Sequence, residues 1–114
     1  MYPNLVVINP ISTVRLDSLL PLLHSDTLVV EMDVEGFECE ALLGASHMLR
    51  TRRVAMLIHE WSGGFEAAER GCDWLQAVQP LREQGLQSFD VRGIAVQFTP
   101  GIQSATTTVV WRAR

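Results

Sequence analysis

Residues 28 to 49 read LVVEMDVEGFECEALLGASHML, and the order of residue types in that stretch sets the expected fold. Leu28 to Met32 is apolar except for Glu31. A strand covered on both faces by helices reads this way, whereas a strand with one wet face alternates. Asp33-Val34-Glu35-Gly36 ends the run, and Gly36 permits a sharp turn into a helix. From Glu38 to Arg50, Leu42, Ala45 and Leu49 recur at helical spacing, with Ala41 and Met48 widening the stripe, acids at the start and arginines at the end. The spacing predicts one helix over that span. Gly44 inside it costs up to ~1 kcal/mol relative to Ala, which points to close backbone approach by a neighbouring element.

The same grammar continues on both sides. VAMLIH at 54 to 59 repeats the buried-strand pattern. FEAAERGCDWLQAVQPL then places Ala68, Cys72, Leu75 and Val78 on one helical stripe, ended by Pro80 and Gly85. Upstream, LVVIN at 5 to 9 is a short strand-like run closed by Asn9-Pro10. RLDSLLPLLHSD offers Asp17 or Ser18 as the cap of a short helix interrupted by Pro21. The tail gives SFDV, IAVQF and TTTVVWR, separated by Gly93 and Pro100-Gly101, a spacing that suits antiparallel strands. The expected architecture is one α/β domain over residues 1–114, with helices on both faces of a partly parallel sheet and an antiparallel carboxyl-terminal edge.

Composition narrows the function. A chain of 114 residues with 47% hydrophobic content can build one real core. Its net charge of −4 argues against a nucleic-acid partner, and all nine basic residues are arginines with only Arg50, Arg52 and Arg53 clustered. That cluster sits where a helix carboxyl terminus favours positive charge. Cys39 and Cys72 form no CxxC pattern and read as buried thiols of a reducing compartment. No segment has the length of a membrane span and the amino terminus lacks a leader pattern, so a cytoplasmic location is expected.

In partly parallel α/β sheets, ligands bind at the carboxyl ends of the strands, where loops and helix amino termini converge. Asp33 and Glu35 follow one such end and His59 and Glu60 the next, so these four form the candidate catalytic rim. Read from the residues alone, an Asp33-x-Glu35 pair with His59-Glu60 also suits Mg²⁺ or Mn²⁺ and metal-assisted hydrolysis. Bland roles compete at several positions. Glu35 and Glu38 complement a helix amino terminus, His59 suits a hydrogen-bonded imidazole at a strand end, and Trp61, Trp74 and Trp111 read as core.

The run VRLDSLL, then LVVEMDVEGFECEALLGASHML, then VAMLIHEW resembles the FkbM-type S-adenosylmethionine-dependent methyltransferases. That family carries T-L-D-x-L-L followed by K-[IV]-D-V-E-G-x-E-x-x-[VA]-L-x-G-A and an apolar strand ending in an acid. Asp33, Glu35, Gly36, Glu38, Gly44 and Ala45 match, as do Leu16 and Asp17 upstream, while Glu31 stands where the family commonly has Lys. The resemblance implies a Rossmann-like methyltransferase sheet, S-adenosylmethionine as cofactor, and methyl transfer to the hydroxyl of a small molecule or glycan. It implies roles for Asp33 at the acceptor or the cofactor's charged centre, for Glu35 beside it, and for His59 or Glu60 on the acceptor side. The family's Gly-rich cofactor loop has no counterpart, since no G-x-G occurs in the 114 residues. The similarity therefore covers the carboxyl half of the family domain, and the chain by itself is expected to bind the cofactor weakly or not at all. A half-sheet also exposes the edge of LVVEM, so self-association, or pairing with a partner chain that supplies the other half, is a further expectation.

Overall fold

The computed structural model describes residues 9–98 and 106–114. Four strands, β1 (Thr27–Met32), β2 (Arg53–Trp61), β3 (Gln87–Phe89) and β4 (Thr107–Arg112), form one mixed sheet in the order β1-β2-β4-β3. β1 and β2 run parallel, and β4 is antiparallel to both its neighbours, as the tail's spacing predicts. The strand-like run at 5 to 9 lies mostly outside the described residues. Among the described residues β1 is therefore an edge strand, with Val29 73% exposed.

One irregularity sets which side chains face the core. Leu28 pairs with Val54 and Val29 with Met56, so Ala55 is an extra residue on β2 and bulges. Beyond the bulge Leu57, His59 and Trp61 point into the core together with Met32, Val109 and Trp111. Glu60 consequently faces the other way. The described helices α1 (Glu38–Leu43), α2 (Ser46–Thr51), α3 (Phe65–Glu69) and α4 (Trp74–Glu83) serve that single core. The expectation of helices on both faces is not met among the described residues: Met56, Ile58 and Val110 on the opposite face stay half-exposed.

The helix predicted from Glu38 to Arg50 is two helices, and tertiary contacts make the break. In a continuous helix the Met48 N–H would bond the Gly44 carbonyl. Asp17 takes both groups, its N–H donating to Gly44 O at 2.8 Å and its carboxylate accepting from His47 N at 3.1 Å and Met48 N at 2.8 Å. Asp17 thus caps α2 from across the chain, besides opening its own 3₁₀ turn, Leu16–Leu22, which contains Pro21. Gly44 does lie against Arg15, whose Cα is 3.6 Å from where a Cβ would stand. Its backbone is ordinary right-handed helix at φ −69°.

The second predicted helix also breaks in two. Gly71 at φ +81° ends α3 in a Schellman arrangement, with Cys72 N–H bonding Ala67 O and Gly71 N–H bonding Ala68 O. Asp73 then caps α4 through Leu75 N at 2.9 Å. The break rotates the buried stripe to Ala67, Cys72, Trp74, Ala77, Val78 and Leu81, leaving Ala68 and Leu75 outside, and Pro80 sits within α4 instead of ending it. Cys39 and Cys72 form a disulfide joining α1 to the α3–α4 connection, which corrects the reading of both as thiols. IAVQF is an arm, not a strand: a turn held by Asp90 folds it back on β3 through a single Phe89–Ala95 bridge. Among the described residues no helix is long and apolar enough to cross a membrane.

Candidate active site at the carboxyl ends of β1 and β2

The turn after β1 carries the site. Phe37 N–H closes on Val34 O at 3.3 Å, and both central residues have positive φ, 51° at Glu35 and 97° at Gly36. Positive φ at both positions defines a type I′ turn, where Gly is at ease and Glu is not; a non-Gly residue there is strained by ~1–2 kcal/mol. Two clamps hold it. From inside, the buried Glu38 carboxylate, 3% exposed, accepts from Val34 N at 3.2 Å and Gly36 N at 3.0 Å. From outside, Arg70 donates to Gly36 O at 2.8 Å and to both oxygens of Glu40, and its guanidinium lies 4.3 Å from the Phe37 ring centre. The Arg70 hydrogen bond holds the Glu40 carboxyl below its usual range.

Asp33, Glu38 and Glu60 converge, each offering an oxygen within 4.8 Å of the others. At 4.8 Å two unit charges repel by ~1 kcal/mol in water and by ~3.5 kcal/mol at an effective dielectric of about 20. Glu38 is anchored by its amide partners, whereas Asp33 and Glu60 are exposed and accept no hydrogen bond from another described residue. Beside the trio opens a cavity of about 510 Å³ walled by Glu35, Glu60, Glu66, Glu69, Trp61 and Trp74. Gly64 forms part of that wall at φ +74°, and a Cβ on it would stand 2.7 Å from Trp74 Cδ1, so no side chain fits.

Of the four rim residues expected from sequence, Asp33, Glu35 and Glu60 gather here and His59 does not. His59 is 1% exposed on the core face, stacked on Trp74 with ring centres 5.2 Å apart. Its protonation pattern follows from its partners. The Trp111 indole N–H is donor only, so Nε2 accepts it at 2.9 Å, and the proton rests on Nδ1, which donates to Glu60 O at 2.9 Å. Burial pushes the imidazole pKa down. Both nitrogens are committed, and His59 holds the carbonyl of the rim residue Glu60 in place.

Sequence reasoning missed three features. Glu38, expected to complement a helix terminus, is the buried clamp of the turn. Glu66 and Glu69 belong to the wall, on the short helix α3 that Gly71 and Cys72 end. Trp61 and Trp74 are core as expected, but each also presents an edge to the cavity. The E-G-F-E run at 35 to 38 and the lone distant Cys72 carried no signal for these. The chain matches no family model, no curated protein and no solved structure.

Proposed function

We propose that the chain is the acceptor-side half of an FkbM-like methyltransferase domain with a Rossmann-like sheet, transferring a methyl group to a hydroxyl oxygen. The observation that supports this reading is the pair of solvent-facing carboxylates, Asp33 and Glu60, held at the carboxyl ends of adjacent parallel strands beside the cavity. S-adenosylmethionine supplies an electrophilic methyl on a cationic sulfur. Carboxylates suit such a cation, so Asp33 and Glu60 fit the charged centre, with Trp61 and Trp74 bordering it; no G-x-G loop that would hold the rest of the cofactor occurs in the 114 residues. In this reading Asp33 or Glu60 accepts the proton of the acceptor hydroxyl, Glu35 orients it, and Glu38 fixes the turn that carries Asp33. The disulfide suits an oxidising compartment better than the cytoplasm.

The test is transfer of labelled methyl from S-adenosylmethionine to a panel of hydroxyl-bearing small molecules and glycans, by the chain alone and by the longest polypeptide its coding region yields. The chain alone should show no micromolar cofactor binding. In the longer form Asp33→Asn should lower turnover by ~10²–10⁴-fold with little loss of cofactor affinity. Absence of transfer by the longer form sinks the proposal.

The trio's 4.8 Å clustering favours a second reading, a Mg²⁺ or Mn²⁺ site for metal-assisted hydrolysis. Glu38 already spends both oxygens on amide N–H groups, so Asp33 and Glu60 would hold the metal largely alone. Calorimetry with MnCl₂ separates the readings.

A further inference from the structure

Charge is unevenly used in this chain. Of its thirteen acidic residues, five form ion pairs with arginines, and Asp73 caps a helix. Of the remaining seven, Glu35, Glu38, Glu60, Glu66 and Glu69 line the 510 Å³ cavity and Asp33 adjoins it beside Glu38 and Glu60, and none of these six forms an ion pair among the described residues. Arg70 makes its hydrogen bonds to Glu40 and the Gly36 carbonyl, and its charge also reaches Glu66 and Glu38 without pairing with either. Folding therefore leaves an anionic bowl with indole walls, whose field concentrates cations.

A second observation points to the same place and is not a matter of charge. The indole N–H of Trp61 is buried and has no hydrogen-bond partner among the described residues, in a side chain that is itself nine-tenths buried. It lies 3.4 Å from where a side chain on Gly64 would begin, and both Trp61 and Gly64 line the cavity. A buried donor without an acceptor is costly, and such a group persists where a ligand supplies the acceptor. The bowl thus asks for positive charge, and its wall offers one hydrogen bond to a neutral oxygen.

We infer that the cavity beside Asp33, Glu60 and Trp61 binds a small hydroxylated amine, an amino sugar or a short oligomer of amino sugars. Its ammonium groups lie among Glu35, Glu66 and Glu69, and one of its oxygens accepts from Trp61 Nε1. The hydroxyl as the site of reaction rests on the methyltransferase reading above; the ammonium specificity does not. The cavity is of the size that encloses a small ligand.

The experiment is calorimetric titration of the whole chain, disulfide intact, with the β-1,4 disaccharide of glucosamine and with its N,N′-diacetyl form, at low and at physiological salt. Acetylation keeps the shape and removes both charges. The charged disaccharide should bind saturably and weaken several-fold as salt rises, and the diacetyl form should bind at least tenfold more weakly. Glu66→Gln with Glu69→Gln, both on the exposed side of a short helix, should weaken the charged disaccharide tenfold or more with circular dichroism unchanged. Trp61→Phe removes the unpartnered N–H together with part of a core ring, so it should lower the melting temperature and, at a temperature where circular dichroism shows it folded, weaken the charged disaccharide several-fold. Equal binding of the two disaccharides, no binding of either, or no effect of the Glu66/Glu69 pair overturns the inference. So does micromolar binding of MnCl₂ without any binding of the disaccharide. Amine binding without methyl transfer leaves the inference standing and removes the methyltransferase reading, and transfer confined to neutral acceptors does the reverse.

Discussion

Glu38→Gln tests the clamp that shapes the site. The substitution keeps size and removes a charge from a carboxylate that accepts two amide N–H groups in a buried setting. A Gln side chain has one carbonyl, so one of the two hydrogen bonds is replaced by a contact between two donors. Hydrogen bonds to a charged group contribute ~1.5–3 kcal/mol each, and an orphaned buried N–H costs ~1–3 kcal/mol. Losing one bond and weakening the other therefore removes ~3–4 kcal/mol from the turn. Neutralisation also relieves repulsion with Asp33 and Glu60, which are exposed, so the gain is near the aqueous limit of ~1 kcal/mol for each. The net is a loss of ~2 kcal/mol, a fall in Tm of ~6–10 °C for a domain of this size. Asp33→Asn and Glu60→Gln relieve the same repulsion without touching the clamp, and should raise stability by ~0.5–1 kcal/mol. Urea denaturation of the three variants at pH 7 gives the comparison. If Glu38→Gln is neutral or stabilising like the other two, the carboxylate is not holding the turn and the account of the strained Glu35 fails with it.

Reducing the Cys39–Cys72 bridge, which closes a loop of sequence separation 33, should lower stability by ~3–4 kcal/mol on the chain-entropy account; urea curves with and without reductant measure it. His59 has a folded pKa below its unfolded value, so its contribution is complete above the unfolded pKa of ~6.5 and is lost as pH falls below it, by at most ~1.4 kcal/mol per pH unit. His59→Gln, which keeps an acceptor for Trp111, should flatten the urea midpoint between pH 7.5 and 5, and an unchanged slope there refutes the assignment. Gly44→Ala meets only ordinary contacts at a helical φ, so it should stabilise by ~0.4–1 kcal/mol in thermal melts. The edge of β1, unpaired among the described residues, should drive self-association, and a concentration-independent monomer by size exclusion with light scattering would remove that expectation.

Residue types alone determined the alternation of strand and helix, the parallel β1–β2 pair and the antiparallel tail, because apolar run length and turn residues are local properties. They also placed Asp33, Glu35 and Glu60 at one rim, since strand ends are marked by the residues that follow them. Tertiary structure decided the rest. Asp17 breaks the first helix from outside it, and no periodicity within 38 to 50 records a competitor 31 residues upstream of Met48. The face of His59 depended on strand alternation: it lies on the core face with Leu57 and Trp61, where burial and its two hydrogen bonds take it out of the rim that Glu60 joins. The pairing of Cys39 with Cys72 and the gathering of five acids around one cavity arose from chain reversal at Gly71 and at the β1–α1 turn. Distances between segments are set by packing, and packing is a property of the assembled core.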